Sequence, residues 1–197
     1  MAGDREPEPA GRAAAEPPPV LAEVGVPTAA QMRALGRRLA ALLRPGDLVV
    51  LAGPLGAGKT TLTAGIGEGL GVRGPVTSPT FVIVRVHPAP GAGPALVHAD
   101  AYRLGSRAEI DDLDLDTCMA ASVTVVEWGE GLVEDLAQSY LEISIRMAPP
   151  RAGQPGGWPE SEAPDEPRTV RLTGRGPRWR AAAESVRLAV SGSSDAL

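Results

Sequence analysis

The segment from Asp47 to Thr61, DLVVLAGPLGAGKTT, leaves this chain few folds to choose from. Its stretch Gly53-Pro-Leu-Gly-Ala-Gly-Lys-Thr60 fits G-x-x-x-x-G-K-[ST], the pattern in which successive backbone N–H groups cradle phosphate oxygens and a lysine reaches the β- and γ-phosphates. Such a loop needs a strand in front of it and a helix behind it. Asp47 to Ala52 is a short apolar run suited to a strand buried on both faces. Lys59 to Leu70 is read as the following helix, its N-terminal dipole aimed at the phosphates. Gly53 and Gly58 permit backbone conformations that a Cβ would obstruct. Gly53, Leu55, Gly56, Ala57, Gly58, Lys59, Thr60 and Thr61 are the candidate nucleotide contacts, with the Thr60 hydroxyl directed to Mg2+.

Composition sharpens that reading. Lys59 is the only lysine beside eighteen arginines. A compact ammonium suits the phosphate cradle where a planar guanidinium does not fit. The net charge of −5 gives no global basic footprint for nucleic acid, although Arg171, Arg175, Arg178 and Arg180 form a local cluster. Cys118 is the single cysteine, which forbids an internal disulfide and any cysteine-cluster zinc site, and it reads as a half-buried thiol. No stretch approaches the roughly 20 apolar residues of a membrane span, and Met1 to Pro19 lacks the basic start and apolar run of a signal peptide. A cytoplasmic protein is expected, with no membrane and no DNA as partner. Twenty prolines and twenty-four glycines assign much of the chain to loop or linker.

Residues 1–22 read as a disordered Pro/Glu/Ala-rich tail, residues 23–176 as the folded domain with a flexible connector over 148–167, and 177–197 as a C-terminal helix with a disordered end. Within the domain, Thr28-Ala-Ala-Gln31 resembles a capping box opening a helix that runs to Arg44. Strands are expected at Thr80–Val86 and Ala95–Ala99, as a hairpin, then at Val123–Glu127, Tyr140–Met147 and Arg168–Thr173, the last two pairing antiparallel. Glu109–Asp116 reads as a short helix and turn, and Pro177–Val190 as one helix. The fold class is therefore α/β, a P-loop three-layer fold with a mixed, mainly parallel central sheet flanked by helices.

Three further segments carry candidate chemistry. Ser78-Pro-Thr-Phe81 precedes a strand where P-loop proteins often sense the γ-phosphate, or is an ordinary Ser-Pro turn with a core Phe. His98-Ala-Asp-Ala-Tyr-Arg103 ends a strand. Its Asp100 is placed to hold Mg2+ through water or to position the attacking water, and its Arg103 to neutralise phosphate charge. The competing reading is a surface Asp–Arg pair with Tyr102 as packing. His98 reads as a hydrogen-bonded structural residue. Glu127 follows the apolar run Val123–Val126, at the carboxyl end of a buried strand, where this fold class puts its second metal ligand, or is an acidic residue leaving a strand into a turn. Glu130 reads as solvent-facing. Three of the six aromatic residues, Phe81, Tyr102 and Trp128, fall in these three motifs, which favours one common site.

GPLGAGKTT at 53–61, SPTF at 78–81, HADAYRL at 98–104 and VEWGE at 126–130, in this order, resemble the TsaE (YjeE) family. The resemblance covers about Val24 to Met147 and more weakly reaches Gly174. It implies an ATPase of bacterial tRNA threonylcarbamoyladenosine synthesis that binds ATP or ADP with Mg2+ and is feeble alone. It further implies action with the TsaD–TsaB heterodimer, which transfers threonylcarbamoyl to adenosine 37 of tRNAs reading ANN codons, so that tRNA is engaged indirectly. By position, Lys59 and Thr60 would bind phosphate and Mg2+, and Glu127 would complete the metal site. Asp100 would serve hydrolysis, and Trp128 would lie beside the nucleotide. A small-molecule P-loop kinase is the alternative, but the Arg-rich lid and acceptor pocket it needs are not visible between Gly71 and Met147. A GTPase is disfavoured because N-K-x-D cannot be built without Asn or a second Lys.

Overall fold

The computed structural model describes residues 18–79, 83–148 and 167–192. The Thr80–Phe81–Val82 stretch, most of the 148–167 connector and most of both expected tails lie outside these residues. Strand β1 (Val20–Val26) leads to helix α1 (Ala29–Ala40), strand β2 (Leu48–Ala52) and helix α2 (Lys59–Leu70). A hairpin of β3 (Val84–His87) and β4 (Ala95–Asp100) follows, then two short helices, α3 (Arg107–Asp111) and α4 (Leu115–Met119). Strands β5 (Ser122–Glu127), β6 (Tyr140–Met147) and β7 (Arg168–Arg175) complete the sheet, and α5 (Gly176–Ala181) and α6 (Ala183–Ser191) close the chain.

The seven strands lie in the order β1-β7-β6-β2-β5-β4-β3. The four central strands, β6, β2, β5 and β4, are mutually parallel; β3 joins β4 antiparallel on one side, β7 joins β6 antiparallel on the other, and β1, antiparallel to β7, again runs with the central strands. All five residues of β2 and all six of β5 are buried, as central strands covered on both faces must be. One face packs Val49, Leu51, Leu96, Val123 and Val125 against Leu35 and Leu39 of α1 and Leu62 and Ile66 of α2. The opposite face packs Leu48, Val50, Val97 and Ala99 against Ile110, Leu115 and Met119 of the short helices. Burying each Leu, Ile or Val side chain contributes roughly 1.5–3 kcal/mol, and these two sandwiches of side chains supply most of the stabilisation.

Several boundaries differ from the sequence reading, each for a local reason. Strand β1 begins at Val20, inside the expected tail, because β7 offers it a partner from Thr173 to Arg168. The capping box at Thr28 forms in both directions, with Gln31 N donating to Thr28 Oγ1 at 3.1 Å and Thr28 N donating to Gln31 Oε1 at 3.2 Å. The same helix stops at Ala40 rather than Arg44. The amides of Leu42 and Leu43 turn to carbonyls three residues back, and the Asp47 carboxylate then takes the Arg44 amide at 3.0 Å. Of the expected Thr80–Val86 strand, β3 takes in Val84 to Val86 and continues to His87, preceded by Ile83 at a positive φ of 71°, while Thr80 to Val82 lie outside the described residues. The single C-terminal helix breaks at Ala182, since α5 seats the fully buried Trp179 against Gly174 of β7 while α6 packs on β1 and α1. Cys118 is exposed, not half-buried. The arginine cluster does not form a bare basic patch: Arg171 pairs with Glu23, Arg175 with Glu142 and Arg178 with the buried Asp47.

Candidate functional site

Parallel strands deliver their carboxyl ends to one edge of a sheet, and here β2, β4 and β5 end together. Beyond β2 the chain runs through Gly53, Gly56 and Gly58, with φ of 141°, 77° and 105°. Gly53 has a second constraint, because a Cβ there would strike the Ile145 carbonyl of the neighbouring strand. The loop borders a cleft of about 430 Å³ lined by Leu55, Gly56, Gly58, Lys59, Thr60 and Thr61. Ser78, Asp100, Tyr102, Glu127 and Trp128 close its other side. Of the loop residues expected at the nucleotide, Gly53 and Ala57 are not on this wall. Ala57 is fully buried beneath the loop, and Gly53 contributes its carbonyl instead.

The Lys59 ammonium donates to the carbonyls of Gly53 at 2.8 Å and Pro54 at 2.9 Å, and lies 3.7 Å from the centre of the Trp128 ring. Burial lowers its pKa from the ordinary lysine value, against the opposing pull of Glu127, Asp100 and Glu130. Trp128 reaches over the ammonium from a left-handed backbone, φ 61°, unusual for a bulky residue. That conformation costs about 1–3 kcal/mol and is the kind of strain that clusters at functional sites. The exposed Tyr102 ring stands 5.1 Å from Trp128.

Thr60 Oγ1 donates to both carboxylate oxygens of the buried Glu127, at 2.9 and 3.0 Å. Asp100 is also buried, not a surface carboxylate. Its Oδ2 accepts from Ser78 Oγ at 3.1 Å, and its Oδ1 from the Tyr102 amide at 3.0 Å. Arg103 is exposed and does not line the cleft. Glu130 is exposed, as the sequence suggests. His98 is hydrogen-bonded and fully buried, its Nε2 2.8 Å from Glu127 Oε1. That pairing and the Ser78–Asp100 bond were not foreseen. Alternation along a strand puts His98 and Asp100 on one face, and this was the available signal for the first of them.

The oxygen donors of Thr60, Glu127 and Asp100 are the hard ligands that Mg2+ prefers. Among the described residues no group of three or more His, Cys, Asp or Glu forms a cation cage. Mg2+ takes one or two protein carboxylates and draws its remaining ligands from phosphates and water. Among the same residues no helix is long and apolar enough to cross a membrane.

A family model described as threonylcarbamoyl adenosine biosynthesis protein TsaE matches residues 26–152. The chain is 59% identical over 156 residues to the tRNA threonylcarbamoyladenosine biosynthesis protein TsaE of Streptomyces coelicolor, covering 79% of this chain and 98% of that protein. The protein of the same description from Bacillus subtilis is 42% identical over 119 residues, 60% of this chain and 73% of that one. The crystal structure of Bacillus subtilis YdiB superposes with a TM-score of 0.62 at 28% identity, covering 84% of this chain and 93% of that chain.

Proposed function

The chain belongs to the TsaE family of threonylcarbamoyl adenosine biosynthesis proteins, and we propose that it is a Mg2+-dependent ATPase acting in threonylcarbamoylation of adenosine 37 in tRNAs that read ANN codons. The observation that carries the ATPase reading is the Thr60–Glu127 contact at the mouth of the Gly-rich loop, with Lys59 beside it. In this reading the loop amides and Lys59 bind the phosphates of ATP or ADP, and Trp128 flanks the nucleotide. Thr60 and Glu127 would hold Mg2+, which would neutralise phosphate charge there. Asp100, fixed by Ser78 and the Tyr102 amide, orients the attacking water from the far wall. Lys59 exchanges its two loop carbonyls for phosphate oxygens when nucleotide enters. The acceptor chemistry belongs to the TsaD–TsaB heterodimer, and hydrolysis resets that complex.

The test is ATP turnover by the full chain alone and with TsaD–TsaB, read alongside modified-tRNA formation. Slow turnover alone that rises with the partners, together with ATP-dependent modification, is expected. Fast unassisted hydrolysis, or phosphate transfer to a metabolite, would refute this reading in favour of a kinase.

A further inference from the structure

The chain has two histidines, and one of them touches the site without lining it. In the register of β4 with β5, His98 pairs with Val125 and Asp100 with Glu127. Leu96, His98 and Asp100 therefore share a face with Val123, Val125 and Glu127, the face covered by α1 and α2. His98 sits one layer beneath the cleft, fully buried, with Nε2 2.8 Å from Glu127 Oε1. An ionised carboxylate only accepts hydrogen bonds, so the ring proton lies on Nε2. Nδ1 has no hydrogen-bond partner among the described residues, and a proton there would be a buried donor without an acceptor.

We infer that His98 is the positioning residue of the Glu127 carboxylate, holding it toward the cation side of the cleft. Thr60 donates to both carboxylate oxygens, whereas His98 holds Oε1 alone. A hydroxyl that turns to a cation releases Glu127, and among the described residues the His98 bond then keeps the carboxylate in place. Groups that orient metal-binding side chains from behind in this way change metal affinity by about 10–100-fold when removed. A histidine that only filled the core would have no effect specific to Mg2+.

The inference rests on the Mg2+ reading of Thr60 and Glu127, and calorimetry separates the two. ADP is titrated into the full chain in EDTA and in Mg2+, for wild type, His98→Leu and His98→Gln. Leucine keeps much of the volume but removes the donor, whereas the glutamine amide reaches a similar distance and restores it. We expect Mg2+ to tighten ADP binding in wild type and in His98→Gln. In His98→Leu that tightening falls by about tenfold or more, while the affinity in EDTA stays within about twofold of wild type. An unchanged Mg2+ increment in His98→Leu, or equal losses with and without Mg2+, overturns the positioning role. Absence of any increment in wild type overturns the metal reading and the inference with it. Should the leucine variant fail to fold, long-range proton–nitrogen spectra of wild type decide, since an Nδ1–H tautomer of His98 would overturn the proposal.

Discussion

Helix propensity and packing make opposite predictions for Gly65→Ala. In an isolated helix the change stabilises by about 1 kcal/mol, because glycine is the poorest ordinary helix former. In the folded chain Gly65 lies where α2 crosses α1. A Cβ there would collide with the Arg33 carbonyl oxygen and stand 2.9 Å from its carbon and 3.0 Å from its Cα. These are backbone atoms that cannot rotate away, so the helices must part by about 1 Å to reach ordinary contact. A gap of that size forfeits a quarter to a half of each dispersion well. The interface is held by Met32, Leu35 and Leu39 against Leu62 and Ile66, all buried to within 1%. At roughly 1.5–3 kcal/mol per side chain, losing a quarter of that packing costs about 2–4 kcal/mol. Packing outweighs propensity, and the net loss is about 1–3 kcal/mol. Thermal unfolding followed by circular dichroism should show Tm falling by about 3–10 °C. ADP affinity should fall with it, because α2 begins at Lys59 and Thr60. An unchanged or raised Tm would show that the two helices are not in such close contact.

Two further changes probe the site and its surroundings. Lys59→Ala should weaken ADP binding at least tenfold in calorimetry, since a charged hydrogen bond contributes about 1.5–3 kcal/mol. The melting transition should remain cooperative, because the variant no longer desolvates an ammonium, and near wild-type affinity would remove Lys59 from the phosphate site. The buried His87 has its pKa lowered from 6.5, first by desolvation, then by His98 and Arg85, with the Arg73 backbone opposing. The unfolded chain therefore takes up this proton more readily. Stability from the neutral ring is complete above pH 6.5 and is lost as pH falls from there through the depressed folded value. Comparison of Tm at about pH 7.5 and pH 5.5 should show a larger acid loss in wild type than in His87→Leu, and equal losses would refute the assignment.

The site was largely legible because its residues occupy positions that strand and loop geometry fixes locally. Lys59 and Thr60 begin a helix after a Gly-rich turn, and Asp100 and Glu127 close apolar runs. Both acids then fall at the same sheet edge, since β4 and β5 run parallel in register. Trp128 was legible by its neighbourhood, but its left-handed backbone and its place above the Lys59 ammonium were not. Neither follows from the local sequence. Arg103, in the same motif as Asp100, is exposed instead, because the strand has ended and alternation no longer sets its direction.

By itself the sequence determined the Gly-rich loop, the buried strands that frame it and the two acids at their ends. These depend on short-range rules: a glycine where φ must be positive, an apolar run where both faces are covered, a cap where a helix starts. Tertiary structure alone decided the use of Gly65, Gly67 and Gly69. The helix expected over Lys59–Leu70 already held all three, but only the packed structure shows that a Cβ at each would meet Arg33, Val76 or Ala40. It also decided that Arg171, Arg175 and Arg178 pair with Glu23, Glu142 and Asp47 rather than form a basic face. The physical reason is common to both. Close approach and charge neutralisation depend on which surface arrives opposite a residue, and the chain order does not specify that partner until the sheet has closed around it.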